Sequence, residues 1–171
     1  QGVTVESNKW LRRIEWLRQI PSKHKFLSIE PLLEDLVDLE EYIDEIDFVI
    51  VGGESYEAPA ASPAAAAIRE NRFMRPEWAI RIRDICKKHG KQFFFKQWSH
   101  VRGSKPLALL PSWSLEEYAE LFKMAQQQGL KAADMPWVFQ DHREIWRPRK
   151  YIELPDAMLS ILRSRKPWLF K

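Results

Sequence analysis

The sequence predicts an α/β fold built on a parallel strand–helix repeat, and three observations lead there. Short β-type runs recur at Val3–Val5, Lys25–Ile29, Phe48–Val51 and Gln92–Phe95. Segments of helical periodicity or helix-capping residues lie between them. Each run ends in a polar group: Glu6-Ser7, Glu30-Pro31, Gly53-Glu54 and Lys96-Gln97.

The elements follow in order. After Val3-Thr4-Val5, Ser7 or Asn8 is placed to cap a helix whose inner face is Trp10, Ile14 and Leu17, and Pro21 stops it. Trp10 and Trp16 are both read as packing on the sheet. The acidic stretch from Asp38 to Asp47 is expected to hold a short helix. Phe48-Val49-Ile50-Val51 is apolar at every position, the pattern of a strand buried on both faces. A helix then starts at Pro76 and turns Trp78, Ile82, Ile85 and Cys86 inward. Lys87, Lys88 and His89 complement its C-terminal dipole and Gly90 ends it. Between Tyr56 and Arg75 the chain is rich in Ala and Pro, above all from 58 to 67, and reads as a lid-like loop. Beyond Trp98, Ser114 and Glu117 form a capping box for a helix carrying Leu115, Tyr118, Phe122 and Ala125 that ends near Gly129. Short strands are expected at Trp137–Phe139 and Tyr151–Glu153, and a last helix over 155–163.

Composition excludes several classes. With 30% charged residues and no apolar run of roughly 18 residues, neither a disordered chain nor a membrane span is expected. No basic segment followed by an apolar one opens the sequence, so no secretory signal is read, and a start at Gln1 is taken as a processed piece or a fragment. Cys86 is the single cysteine, which excludes a disulfide framework, a zinc ribbon and a self-contained iron–sulfur site. A reducing, cytoplasmic setting is expected. On the apolar face of its helix Cys86 reads as a structural thiol. The histidines at 24, 89, 100 and 142 lack metal-ligand spacing, so no metal site is expected. Charge is uneven: His142–Lys171 holds eight Lys/Arg against three Asp/Glu, a basic end that calls for an acidic partner.

The candidate site is the set of strand ends. In parallel α/β folds the C-terminal strand ends share one face, so Glu6, Ser7, Glu30, Gly52, Gly53, Glu54, Lys96 and Gln97 are expected on one rim. Clustered carboxylates beside an ammonium suit proton transfer, a cation or an amine-bearing ligand. Gly52-Gly53 is expected to let a ligand approach the backbone. The outer edge of the first strand is expected to be covered by the segment after Trp98 or by another chain.

Four of these segments resemble a family. Gly2-Val3-Thr4-Val5-Glu6-Ser7, Phe26 to Leu33, Asp47 to Ser55 and Phe93 to Trp98 are similar, in the same order, to segments of uncharacterised phage and prophage proteins that look like radical S-adenosylmethionine enzymes. The resemblance covers residues 2 to 98 and implies the C-terminal half of a (β/α) barrel with a cofactor-facing rim. It divides the chain into a partial barrel over 1–100 and a mainly helical, basic C-terminal extension over 101–171. The family's three-cysteine motif lies before the first of these segments and has no counterpart here. The resemblance therefore implies no cofactor in this chain alone, and S-adenosylmethionine with an iron–sulfur cluster in a protein completed by a cluster-bearing N-terminal half or second chain. Two other readings stand beside it. One is a nucleic-acid-binding α/β module, with a vestigial rim and contacts from Arg147, Arg149, Lys150, Arg163 and Arg165 among aromatic residues. The other is an inactive subunit that docks a cysteine-bearing partner.

Overall fold

Runs of three to six residues rich in Val, Ile and Phe are too short to bury a helix face and suit a pleated surface. They form the sheet. The computed structural model describes residues 1–56, 71–101 and 115–127, together with Ala65, Ile68 and Gly129. Strands β1 (Gly2–Thr4), β2 (Phe26–Ile29), β3 (Phe48–Gly52) and β5 (Gln92–Gln97) make one sheet in the order β1-β2-β3-β5. Every neighbouring pair is parallel. A second, two-stranded sheet pairs β4 (Ser55–Tyr56) with β6 (His100–Val101), also parallel. Among the described residues the four-stranded sheet is open, as half of a barrel is.

Between β1 and β2 a 3₁₀ turn at Asn8–Trp10 leads into α1 (Arg13–Arg18), so the expected single helix is split. Ser7 takes the extended backbone of a cap but makes no side-chain capping bond. The acidic stretch holds a 3₁₀ turn at Leu39–Tyr42 that buries Leu39. Helix α2 (Pro76–Lys88) starts on Pro76 as expected and buries Ala79, Ile82, Ile85 and Cys86. Gly90 follows with φ of +65°, a left-handed value that glycine adopts freely. His89 contacts Glu40 and Asp44, and the Glu40 carboxyl is held below its usual range by hydrogen bonds from Lys88 and His89. Helix α3 (Leu115–Gln127) packs on α2, burying Leu115 and Phe122. Arg83 of α2 pairs with Glu116 at 2.5 Å.

Register decides what each face of the sheet does. Leu27 lies level with Val49, and Ile29 with Val51 and Phe95, all on the face covered by helices and all buried. The opposite face carries the levels Gly2–Phe26–Phe48–Gln92 and Thr4–Ser28–Ile50–Phe94. Phe26 is 38% exposed and Phe94 51%, while Phe48 and Ile50 are half-buried. Among the described residues β3 is fully buried on one face only, contrary to its uniformly apolar sequence; the second face is the wall that would line a closed barrel. No described helix is long and apolar enough to cross a membrane. The expected strands at 137–139 and 151–153, the helix over 155–163 and most of the Ala-rich loop fall outside the described residues.

Candidate functional site

The parallel register brings the C-terminal ends of β1, β2, β3 and β5 to one edge, as the strand-end pattern predicts. The centre of that edge is an ion pair. Lys96 Nζ lies 2.9 Å from Glu30 Oε1, spanning from β5 to the end of β2 across the end of β3. Ser28 Oγ donates to Glu30 Oε2 at 3.1 Å, so both carboxylate oxygens are engaged. Glu30 is mostly covered, with 20% of its side chain exposed, whereas Lys96 is 52% exposed. Alternation along the strand puts Ser28 and Glu30 on the face opposite the helices.

Glu6 and Glu54 belong to the same edge but have cations of their own. Arg13 Nη1 donates to Glu6 Oε2 at 2.9 Å and to the Thr4 carbonyl at 2.8 Å. Arg72 holds Glu54 with two bonds, Nε to Oε2 at 2.9 Å and Nη2 to Oε1 at 2.5 Å. Three carboxylates therefore lie along the rim, each with a cation of its own. Arg13 and Arg72 were not visible as site residues in the sequence. Arg13 is one of three arginines within seven residues, and Arg72 lies at the end of the long loop.

The glycine pair has a different cause from the expected one. A Cβ on Gly52 would stand 2.9 Å from Glu30 Oε1 and 3.6 Å from Gln97 Cγ. On Gly53 it would collide with the Ser99 backbone nitrogen and stand 2.5 Å from Ser99 Oγ. The space beside both glycines is filled by this chain's own atoms. Gly53 N–H also donates to the Gln97 carbonyl at 2.9 Å, locking the ends of β3 and β5 together. Ser99 is buried, and its hydroxyl accepts the Met74 N–H at 3.1 Å, tying the strand end to the lead-in of α2. Ser7 lies in the turn after Glu6, with no side-chain capping bond.

At the outer edge of β1, the Val5 N–H bonds to Ser28 of β2 and the Gln1 carbonyl accepts from Phe26. Alternation then turns the Gly2 and Thr4 backbone groups outward. The Arg13 guanidinium, 3.9 Å from the Trp10 ring centroid, caps Thr4. The described residues that directly follow Trp98 and Ser99, His100 and Val101, pair with β4, and most of that segment lies outside the described residues. Trp16 departs from its expected place against the sheet: it is 58% exposed, because Ile14 and Leu17 form the inner face of α1.

Cys86 is fully buried, and burial pushes its thiol up to about 11. It fits the structural role and suits neither a nucleophile nor a metal ligand, both of which need the thiolate. Among the described residues no group of three His, Cys, Asp or Glu could hold a metal ion. With one buried cysteine, the chain does not fit an iron–sulfur cluster. The polar donor set at Glu30, Lys96 and Ser28 does fit an amino-acid or ribose moiety. Arg147, Arg149, Lys150, Arg163 and Arg165 fall outside the described residues.

Residues 1–137 match the model of a family described as "Protein of unknown function (DUF5131)". No curated protein and no solved structure matches the chain.

Proposed function

The chain belongs to that family, whose match extends past the sheet and through α3. We propose that it is the cofactor-facing half of a radical S-adenosylmethionine-type (β/α) barrel, of the kind its four motif segments resemble in phage and prophage proteins. In this reading it works in the cytoplasm and is inactive until a cluster-bearing half or second chain completes it. The observation that carries the reading is the Glu30–Lys96 pair at the C-terminal edge of an open parallel sheet.

The chemistry of that pair suits a zwitterion. An amino-acid end presents an ammonium and a carboxylate a few ångströms apart. Glu30 can accept from the ammonium or from ribose hydroxyls, while Lys96 donates to the carboxylate. A ligand that carries both charges replaces the partner of each group, so the exchange leaves neither Glu30 nor Lys96 unpaired. Ser28 keeps Glu30 oriented during the exchange. Glu6 and Glu54, each fixed by an arginine, shape the flanks of the rim. When bound beside a reduced cluster, S-adenosylmethionine supplies one-electron chemistry; the cluster's thiolates must come from outside this chain.

Equilibrium dialysis with S-adenosylmethionine and S-adenosylhomocysteine tests the reading. Saturable binding of both is expected, weakened about tenfold in Glu30→Gln and in Lys96→Ala, the loss expected for one charge-assisted hydrogen bond. Absence of saturable binding, or binding indifferent to both substitutions, would refute it.

A further inference from the structure

The segment around α1 concentrates positive charge. Residues 9–25 hold six Lys/Arg and one Glu, whereas residues 30–47 hold nine Asp/Glu and no Lys/Arg. Part of this contrast is neutralised internally: Arg18 and Lys25 lie near Glu45, and Arg13 is taken by Glu6. Lys9, Arg12 and Lys23 have no carboxylate partner among the described residues. Two of these cations sit on indoles instead. Lys9 Nζ lies 4.6 Å from the centroid of Trp10. The Arg12 guanidinium lies 5.7 Å from Trp10 and 5.9 Å from Trp16, a bridge between the two rings. Trp16 is 58% exposed and Ile20, one turn on, 44%.

The exposed Trp16 ring lies beside the Arg12 guanidinium, a cation with no carboxylate partner among the described residues. The complementary ligand brings anions at short intervals and flat aromatic faces between them. A single-stranded nucleic acid has that alternation: phosphates for Lys9 and Arg12, and an unpaired base for Trp16. We propose that the α1 surface around Trp16 and Arg12 binds single-stranded nucleic acid. The surface lies on the outer side of α1, apart from the Glu30–Lys96 rim, and stands independently of the cofactor reading.

The test is fluorescence anisotropy of a labelled thymidine dodecamer with the full chain across a salt series. Affinity is expected to fall steeply with salt. Trp16→Ala is expected to weaken binding roughly tenfold through loss of one base stack. Arg12→Ala is expected to reduce the salt slope by about 0.7, one phosphate contact on a single strand. Both side chains are exposed, so both variants are expected to keep the parent's circular dichroism spectrum. A 5-iodouracil oligonucleotide should crosslink to the peptide carrying Trp16. No binding at low salt overturns the proposal. So does binding untouched by Trp16→Ala and Arg12→Ala yet lost in Arg147→Ala/Arg149→Ala, which would move the contact to the C-terminal segment. Displacement by polyglutamate with no dependence on Trp16 also overturns it, since an acidic polypeptide would then be the natural occupant.

Discussion

Replacing Gly53 by alanine adds a single methyl where the chain has no room. It would collide with the Ser99 backbone nitrogen and lie 2.7 Å from Ser99 Cα. Backbone atoms cannot rotate aside, so either the end of β3 or the start of the segment after β5 must move. Moving them stretches the Gly53–Gln97 bond of 2.9 Å and the Met74–Ser99 bond of 3.1 Å, both in a buried region. Overpacking of this kind costs about 1–3 kcal/mol, and each buried hydrogen bond weakened adds about 1 kcal/mol. A loss of roughly 3–5 kcal/mol is therefore expected, read by urea denaturation with an unchanged m-value. Gly52→Ala is the control. Its methyl meets the carboxylate end of Glu30 at 2.9 Å, a side chain that can swing away. That variant should lose less than about 1 kcal/mol, yet it should disturb ligand binding at the rim because Glu30 moves. If Gly53→Ala unfolds within about 0.5 kcal/mol of the parent, the close approach of Ser99 is not a constraint and the account of the glycine pair fails.

Burial of Cys86 predicts alkaline instability. Between pH 9 and 11 the unfolded thiol loses its proton while the native one keeps it, so stability falls with rising pH, by at most ~1.4 kcal/mol per unit. Denaturation midpoints across that range should show the slope in the parent and lose it in Cys86→Val; a parallel slope in both would contradict the buried-thiol reading. Native Cys86 should also react with a thiol reagent at pH 8 only as fast as the chain unfolds, measured by release of chromophore with and without urea. Arg13→Ala strips the Thr4 carbonyl and Glu6 of their donor and should cost about 1–2 kcal/mol, with faster amide exchange in β1; Arg13→Lys should recover little, since an ammonium cannot stack flat on Trp10. Anaerobic reconstitution of the chain with iron and sulfide should give no stoichiometric cluster by metal and sulfide analysis, because one buried thiol cannot replace several thiolates.

The sheet was legible because local pattern and global fold agree in it. Each strand is a short β-rich run, and helices or turns follow each run, which forces parallel pairing. The Pro76 start, the Gly90 stop and the inner face of α2 were equally readable, since capping chemistry and helical spacing act within a few residues. The split of the first helix was not. Trp10 and Ile14 share helical spacing, yet the chain turns as a 3₁₀ segment before α1, where Asn8 bonds to Glu34 and Asp35 from a distant part of the sequence. The double burial inferred for β3 failed for a different reason: an apolar run reports an intended environment, not whether the described chain supplies it.

The site was half legible for the same physical reason. Strand order and direction place Glu6, Glu30, Glu54 and Lys96 on one edge, and both can be argued from the repeat. Which cation answers which carboxylate cannot, because Arg13 is seven residues from Glu6 and Arg72 eighteen from Glu54, in elements whose orientation is tertiary. That distinction changes the chemistry of the rim. Three unpaired carboxylates would have favoured a cation or a shared proton. Three carboxylates, each matched to a cation, leave a nearly neutral rim in which only Lys96 is more than half exposed. Such a rim selects a ligand with charges of both signs over a bare cation, because a zwitterion can replace the Lys96–Glu30 contact at both ends without leaving either group unpaired.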